Sequence, residues 1–244
     1  MTKAAWYGIF GVSVRSISTT REQLLISNDL RTYSNNEALV KARRMQIIKG
    51  ATRLFVKKGY DRTNMREVTK ACNMSMGALY HYVGSKEDIL YLIIDHGLSN
   101  LAETIEELCS RLDNVSPTDA IREFIKIYYQ GVDRDPDFVL FNYQETKNLS
   151  PSARRRVLES AARDVTACEG LLRRGMESGE FIIDNPILMA HKIIVLGHIW
   201  AVRRWFLRKQ CTLEGYIREQ TESVLKTIAR DNRATCESPK SDLV

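Results

Sequence analysis

The sequence has little of what several common protein classes require. Its five cysteines are odd in number, widely spaced and without a C-x-x-C pair, so they indicate neither a disulfide framework nor a zinc finger. The longest apolar run, residues 189–202, is interrupted by His191, Lys192 and His198 and is shorter than the roughly 20 apolar residues that cross a bilayer. Neither G-x-S-x-G nor G-x-x-x-x-G-K occurs. We therefore expect a soluble, cytoplasmic protein that is not an enzyme and needs no cofactor.

Signals for β-hairpins are also scarce, because neither Asn-Gly nor Asp-Gly occurs. All five prolines instead follow a residue whose side chain can cap a helix, and four of them lie outside the C-terminal tail. The cap oxygen accepts a free backbone N–H, and proline at the first helical position gives up a donor that has no partner there. These four pairs are Ser116-Pro117, Asp135-Pro136, Ser150-Pro151 and Asn185-Pro186. The sequence therefore predicts an all-α protein in which each pair begins a helix.

The spacing of apolar residues predicts two long helices. The first follows the capping-box pattern Ser85–Asp88 and has apolar residues every three or four positions from Lys86 to about Ser110. The second carries an apolar stripe over residues 157–176, opposite a face rich in arginine. One buried side and one charged side are typical of a surface helix.

Two helices near the C-terminus predict an interface between two copies of the chain. The helix after Pro186 is apolar on nearly all sides, and the final helix, at about 213–230, has one apolar stripe. A helix that is apolar all round must be covered on all sides. We expect a homodimer formed by residues 186–209 and 212–230, with Gly197 allowing close approach of two backbones.

Positive charge is concentrated in one quarter of the chain. Residues 41–95 contain eleven Lys and Arg against five Asp and Glu, whereas the rest of the chain has 25 of each kind. Lys and Arg release the counterions condensed on DNA, so a local excess favours a nucleic-acid partner. A solvated basic face is the alternative, which charge alone does not exclude.

The same region contains residues that typically begin and end three short helices. Residues 44–58 have one apolar side and stop at Gly59, a usual C-terminal residue of helices. Thr63 is the predicted cap of a second helix, and Asn73 can supply a left-handed turn. Ser75 is the predicted cap of a third helix, residues 76–82. Two helices joined by a tight turn predict a helix-turn-helix, whose second helix enters the major groove.

One run of the sequence resembles the DNA-binding domain of the TetR family of regulators throughout its length: RRMQIIKGATRLFVKKGYDRTNMREVTKACNMSMGALYHYVGSKEDILYLII. The resemblance implies a recognition helix from Ser75 to Tyr82, phosphate contacts at Thr63 and Lys86, and a double-stranded operator as partner. Leu79 is expected in the core, and for Tyr82 packing stays open as its main role. The DNA-binding residues predicted in this way are Thr63, Ser75, Met76, Gly77, Tyr80, His81, Tyr82 and Lys86.

Four segments follow from these patterns. We expect a poorly ordered N-terminal extension at 1–40, for which a cleaved signal is the weaker alternative, and a helix-turn-helix domain at 41–95. A helical bundle for ligand binding and dimerisation is expected at 96–231, followed by a disordered tail at 232–244.

Aromatic and polar residues mix on the predicted inner faces of the bundle, as in pockets that are mostly apolar with a few polar groups. Core packing explains each of them nearly as well. The candidate ligand-binding residues are Phe124, Tyr128, Phe141, Tyr143, Gln144, His191, His198, Trp200, Arg203 and Arg204.

Two segments look like those of TetR-type regulators of acyl-CoA and fatty- or aromatic-acid catabolism: LFNYQETKNLSPSARRRVLE and GHIWAVRRWFLRKQCTLEGYIREQT. The resemblance implies a small-molecule effector, with an acyl-CoA as candidate. Its phosphates could be bound, in a bidentate manner by the guanidinium groups, by Arg203, Arg204, Arg208 and Lys209. These residues could instead complement the negative end of a helix.

A metal site is a rival interpretation, since His191 and His198 share one helix face. No third ligand is placed by the sequence, so we expect no metal. The favoured function is a repressor that a ligand releases from its operator, with the helix from Lys86 as the lever between the two domains.

Overall fold

Side-chain caps begin most of the helices in the computed structural model, which describes residues 36–112 and 114–230. A helix begins at each of the four cap-proline pairs. The helices of the described residues are α1 (Glu37–Lys58), α2 (Met65–Ala71), α3 (Met76–Tyr80), α4 (Lys86–Arg111), α5 (Pro117–Arg134), α6 (Pro136–Glu145), α7 (Pro151–Glu177), α8 (Pro186–Val202), α9 (Arg204–Leu207) and α10 (Leu213–Ile228). A short 3-10 helix, Thr146–Asn148, follows α6. Within these residues there is one isolated β-bridge and no strand, so the predicted all-α class is confirmed.

Two helix starts differ from the sequence prediction. Helix α1 begins at Glu37, capped by the side chain of Asn36, so it crosses the expected domain boundary at residue 40. Helix α2 is capped by Asn64 and not by Thr63, because Asn64 and Glu67 form a reciprocal capping box. The remaining extension, residues 1–35, and the tail from residue 231 lie outside the described residues.

The core consists of two clusters that share helix α4. The first cluster holds the inner faces of α1–α3, the first half of α4, and residues at α6 and the start of α7, including Phe141 and Val157. The second cluster joins the end of α4, from Ile105, to α5, α7, α8 and α10. Because α4 has side chains in both clusters, it links the N-terminal domain to the bundle mechanically.

Helix α8 is divided between a buried face and an exposed face. Ile193, Ile194 and Trp200 lie in the second cluster. Large apolar side chains on the other face remain exposed to solvent: Ile187, Leu188, Ile199 and Val202, followed by Trp205 and Phe206 of α9. The expectation that one chain cannot cover α8 alone therefore fits the described residues.

Two features on which the expected dimer interface rested make contacts inside the chain. A Cβ atom at Gly197 would lie 2.8 Å from the ring of Tyr129 of the same chain, so this glycine allows α8 to pack closely on α5. The apolar stripe of α10, with Tyr216, Val224 and Ile228, also packs inside the chain. The exposed face of α8 is therefore the feature that still supports the predicted dimer.

No helix of the described part is long and apolar enough to cross a membrane.

Candidate nucleic-acid interface and ligand cavity

The turn between α2 and α3 is fixed by a left-handed residue and by contacts with α1. Asn73 has φ 51, as its short polar side chain predicted. The Gln46 amide donates to the carbonyl of Cys72 at 2.7 Å, and Met74 N–H donates to the carbonyl of Thr69 at 2.9 Å. The side chain of Ser75 then caps α3 by accepting from Ala78 N–H at 3.1 Å. These bonds hold α2 and α3 at one angle, as a helix-turn-helix requires.

Helix α3 has one anchored residue and an outward face. Leu79 is fully buried in the first cluster. Tyr80 is 42% exposed, and Ser75, Gly77 and His81 are also exposed. Met76 and Tyr82 are half-buried, and Tyr82 packs partly against the cluster. The structure thus places six of the predicted DNA-binding residues together at or near the outward face of α3.

Gly77 is not required by the packing of the chain. A Cβ atom at this position would meet no heavy atom within 4 Å. An isolated glycine in a helix costs about 1 kcal/mol relative to alanine. The space around Gly77 is therefore open to an external molecule that approaches the backbone closely.

Thr63 and Lys86 are bonded within the protein, which differs from the direct phosphate contacts expected of them. Thr63 is 2% exposed, and its hydroxyl donates to the carbonyl of Gly59 at 2.9 Å. The ammonium of Lys86 donates to the carbonyls of Tyr60 and Thr63 at 2.9 and 3.0 Å and lies 4.2 Å from the centre of the Tyr60 ring. Both residues fix the segment between α1 and α2.

Basic side chains surround the helix-turn-helix on the outside of the domain. Those exposed to solvent are Arg43, Lys49, Arg53, Lys57, Arg62, Arg66 and Lys70. They give the N-terminal domain the positive field that steers a polyanion.

A cavity of about 1080 Å³ lies between α4, α5, α6, α7 and α8, slightly larger than the roughly 300–1,000 Å³ usual for small-molecule sites. Its wall is mainly apolar and includes Ile93, Leu101 and Val195. Ile48 and Thr52 of α1 also line it. A molecule inside this cavity would therefore touch both the bundle and the N-terminal domain.

Four of the ten candidate ligand-binding residues line the cavity: Tyr128, Tyr143, His191 and His198. The other six do not belong to its lining. Phe124 and Trp200 are buried in the second cluster and Phe141 in the first, and the Trp200 indole donates to Asp133 at 2.7 Å.

The three remaining candidates are on the outside. Gln144 is exposed, Arg203 lies 5.2 Å from the centre of the Trp205 ring, and Arg204 forms an ion pair with Asp137 at 2.7 Å. For the buried residues Phe124, Phe141 and Trp200 the correction has one cause. Helical periodicity shows which residues face inward but not which inward residues adjoin empty space.

A directed series of hydrogen bonds crosses one wall of the cavity. The two nitrogens of His198 each lie 2.9 Å from a tyrosine hydroxyl, Nε2 from Tyr128 and Nδ1 from Tyr143. Burial, followed by the nearby His191, lowers the pKa of His198 to about 4, so its ring is neutral and has one donor and one acceptor. One tyrosine must therefore donate to the ring and the other must accept from it.

A buried carboxyl group lies beside the series. Asp164 is 5% exposed. Burial raises the pKa of Asp164 to about 7, against the lowering effects of Arg163 and of the nearby Tyr128 hydroxyl. If Tyr128 accepts from Nε2 of His198, then Tyr143 donates to Nδ1, and the proton of Tyr128 can turn towards Asp164.

His96 adds a second polar group to the lining. The amide of Asn100 lies 3.2 Å from His96 Nε2, and an amide nitrogen donates, so Nε2 accepts and the proton is on Nδ1. Burial lowers the pKa of His96, which keeps the ring neutral. No group of three His, Cys, Asp or Glu side chains within residues 36–112 and 114–230 is arranged to hold a metal ion.

Comparisons with known proteins match both parts of this architecture. The model of bacterial regulatory proteins of the tetR family matches residues 47–91, and that of the tetracyclin repressor-like C-terminal domain matches residues 114–209. The chain belongs to the TetR family. It is a DNA-binding transcriptional regulator with a helical C-terminal domain.

Several relatives of this TetR-family regulator agree over most of its length. The HTH-type transcriptional regulator HbdR of Aromatoleum sp. (strain CIB) is 27% identical over 195 residues, which are 79% of this chain and 83% of HbdR. The structure of PfmR from Thermus thermophilus is 29% identical, with a TM-score of 0.63 over 74% of this chain and 97% of PfmR. The structure of AibR in complex with isovaleryl coenzyme A and operator DNA shares the fold, with 22% identity and a TM-score of 0.62 over 73% of this chain and 96% of AibR.

The sequence contained one overlooked sign of the cavity in this TetR-family regulator. Asp164 interrupts the apolar stripe of α7, three residues after Ala161 and four before Cys168, and an acid on a buried face needs a reason. His96, on α4, carried no comparable sign because it follows Asp95 and precedes Gly97, so it does not interrupt an apolar stripe.

Proposed function

We propose that this regulator is a repressor that binds its operator as a homodimer and leaves it when a small molecule, with an acyl-CoA as first candidate, occupies the cavity. The observation that carries the proposal is the position of the cavity, which is lined by α1 of the DNA-binding domain and by five helices of the bundle. Occupation of such a site acts on both domains at once.

We assign operator recognition to the outward face of α3. Met76, Gly77, Tyr80 and His81 are placed to meet base edges or phosphates, since a recognition helix presents its N-terminal residues to the groove. Thr63 and Lys86 support recognition by fixing the turn between α1 and α2 and not by holding phosphates, because their polar groups bond to carbonyls of the chain.

The exposed stripe of α8 supports the homodimer. Leu188 is 64% exposed, and Ile199 and Val202 are each 37% exposed. These residues lie at helical spacing on one face, and Trp205 continues the patch beyond the helix. Contiguous exposed apolar patches mark interaction sites. A two-fold dimer through this face would carry two recognition helices, which read half-sites about 34–36 Å apart.

The dimer is tested by a charge on that face. Ile199→Glu should give a monomer in sedimentation at micromolar concentration, while Leu158→Glu, at an exposed apolar residue of α7, should leave the dimer intact. A dimer of unchanged stability in the Ile199 variant would contradict this interface.

An acyl-CoA suits the shape and the rim of the cavity. The mainly apolar interior would take the acyl group, and Arg134 and Lys147 are exposed members of the lining that could meet phosphates. AibR, which has this fold, was solved with isovaleryl coenzyme A. Arg204 and Arg208, by contrast, pair with Asp137 and Asp133 at 2.7 and 2.8 Å.

Helix α6 supports a route from the cavity to the DNA-binding domain. Its Phe138 lines the cavity and fills the notch left on α4 by Gly97, where a Cβ atom would lie 2.2 Å from the ring. One turn later, Phe141 stacks on Phe55 of α1 with 6.5 Å between ring centres. A ligand that displaces Phe138 would therefore move α4 and α1 as well. This adds α6 to α4, the lever that the sequence suggested.

Release requires that the ligand bind the DNA-incompetent arrangement more tightly, because equal affinity for both states shifts nothing. A coupling of about 1–3 kcal/mol would weaken DNA binding about 5- to 150-fold. The test is to select an operator from a randomised duplex library and then titrate thioesters into the complex, with fluorescence anisotropy as readout. Release by a thioester, but not by coenzyme A or the free acid, is the expected result. No release by any chain length or aromatic acyl group would refute the acyl-CoA part and leave the DNA-binding part intact.

A further inference from the structure

One residue of the cavity lining has a buried carboxyl oxygen that lacks a hydrogen-bond partner among the described residues. The residue is Asp164, in the middle of α7, and the atom is its Oδ1. Most buried polar atoms have a partner, and each exception calls for an explanation. A buried acceptor that has no hydrogen bond also destabilises the fold. Its presence on the apolar stripe of α7 therefore indicates a function.

The neighbours of Asp164 do not meet this need. Tyr128, the end of the series from Tyr143 through His198, lies close enough to lower the pKa of Asp164, but Oδ1 has no hydrogen-bond partner. Arg163, the preceding residue, forms an ion pair with Glu106. The Oδ1 atom is therefore a buried acceptor, on a residue of the cavity lining, that the described part of the chain leaves open.

A second residue of the cavity lining has a hydrogen-bond donor without a partner among the described residues. Nδ1 of His96 carries a proton, because Nε2 accepts from Asn100, and Nδ1 is buried without a partner among the described residues. One acceptor and one donor without partners, in residues that line the same cavity, together indicate a mainly apolar ligand that carries both a hydrogen-bond donor and an acceptor.

We propose that the effector carries a hydroxyl group on its apolar part, that this hydroxyl donates to Oδ1 of Asp164, and that Asp164 thereby selects hydroxylated acyl or aryl groups over the same groups without the hydroxyl. The carbonyl beside such a group is the acceptor that His96 requires. The inference rests on the proposed use of the cavity as a ligand site, but not on the thioester.

The expected selectivity follows from how polar sites discriminate. A site built to bond a hydroxyl strongly rejects the analogue without it, since the buried protein group is then left unpaired. A hydrogen bond to a carboxyl group should favour the hydroxylated ligand about tenfold or more. A purely apolar cavity would instead favour the unsubstituted ligand.

The experiment measures affinities of matched ligand pairs for the full chain by calorimetry. One pair is octanoyl-CoA and ω-hydroxyoctanoyl-CoA, and a second, free of coenzyme A, is butylbenzene and para-butylphenol. A benzylamine with the same butyl group tests a cationic donor. The variants are Asp164→Leu, which removes the acceptor at similar volume, and Asp164→Asn, which retains a side-chain carbonyl in case the leucine variant does not fold.

A matched control is available on α4. Asp95 is a half-buried acid whose pKa burial also raises, but it accepts from Tyr91 and does not belong to the cavity lining. Asp95→Leu should therefore leave the ligand preference unchanged. His96→Leu should weaken the hydroxylated thioester without reversing the preference.

The proposal is supported if the wild-type chain favours the hydroxylated member of a pair about tenfold, Asp164→Leu abolishes this preference and Asp164→Asn reduces it. Preference for the phenol without binding of any thioester would support it while refuting the acyl-CoA part of the proposed function. If the benzylamine bound more strongly than the phenol, the donor would be a cation and not a hydroxyl group. The proposed class of hydroxylated ligands would then be wrong. Equal affinities within each pair, no binding of either hydroxylated probe, or a preference that persists in Asp164→Leu would overturn the proposal.

Discussion

The DNA-binding domain and the ligand-binding bundle of this regulator are built from the same kind of helix but differ in how they place functional groups. In the DNA-binding domain the side chains to which we assign recognition face outward, and a few caps and one left-handed turn at Asn73 position them. In the bundle the candidate ligand-binding side chains line a cavity whose walls come from residues far apart in sequence, such as His96, Tyr128 and His198.

This difference determines which interactions each function depends on. As we propose it, recognition of DNA depends on one short continuous segment, so single changes should alter binding without altering the fold. Recognition of a ligand depends on the packing of five helices, so changes there should affect stability and binding together. The following predictions test this distinction, beginning with the largest expected effect.

The largest effect should come from the titration of Asp164. Its pKa is raised from 3.8 in the unfolded chain to about 7 in the folded protein, so its protonated form stabilises the fold below pH 4 and that contribution is lost as the pH rises through 7. One pKa unit corresponds to about 1.4 kcal/mol, so wild type should lose about 2–4 kcal/mol of unfolding free energy relative to Asp164→Asn between pH 4 and 8.

Urea unfolding of both proteins across that range measures the difference. The comparison with the variant is needed because His198, with its pKa lowered from 6.5 to about 4, acts in the opposite direction and loses its contribution as the pH falls. Asp133→Asn is an opposite-sign control, since a hydrogen bond from Trp200 and pairing with Arg208 lower the pKa of Asp133. A pH-independent difference between wild type and Asp164→Asn would contradict the prediction.

A second effect distinguishes glycines that packing requires from those it does not. Gly197→Ala places a Cβ atom 2.8 Å from the Tyr129 ring and should destabilise the bundle by about 1–2 kcal/mol, because overpacking exceeds the gain in helix propensity. Gly170→Ala, at an exposed position of α7 with open space around it, should stabilise by up to about 1 kcal/mol. Thermal unfolding of both variants gives the signs, and equal signs would refute the assignment of Gly197 to internal packing.

The contrast between the domains also explains how much the sequence could predict. Capping residues such as Ser75 and Ser85 and the turn at Asn73 act through neighbours three or four residues away, so the helices and the outward face of α3 were predicted closely. Thr63 was misplaced by one position because Asn64 beside it is an equally good cap, and only Glu67 decides between them through the reciprocal bond.

The cavity was predicted less well, because its shape depends on which large side chains fill the space between helices. Trp200 and Phe124 look like pocket residues in sequence but fill the core, whereas Asp164 and His96 line the cavity. The partner of Gly197 could not be inferred either, since periodicity gives an inward direction and not the residue that lies there. Asp164 alone had a local sign, as a carboxyl on an apolar stripe.

A third prediction returns to the DNA-binding domain, where function should change without stability. Gly77→Ala adds a methyl group where the chain has free space, so thermal stability should stay equal or rise slightly. Operator affinity should fall about tenfold, which is about 1.4 kcal/mol, because the methyl group prevents close approach of the backbone to the groove. Anisotropy with the selected operator measures this, and Gly170→Ala is the control that should bind normally. Unchanged affinity in the Gly77 variant would mean that the backbone of α3 does not closely approach DNA.

The smallest effect concerns the basic residues that bind the phosphates of an acyl-CoA. It compares Arg204, which the sequence suggested, with Arg134 and Lys147, which line the cavity. Arg134→Ala and Lys147→Ala should each weaken binding of an acyl-CoA about threefold, since exposed charges contribute modestly and salt screens them. Arg204→Ala should change it less than about twofold, because Arg204 is paired with Asp137 and lies outside the cavity lining. Raising the salt concentration should remove the loss in the first two variants, as expected for phosphate contacts at a solvent-exposed rim. If Arg204→Ala instead caused the larger loss, the phosphates would lie at the end of α8, as the sequence first suggested, and the entrance to the cavity would have to be assigned to that side of the bundle.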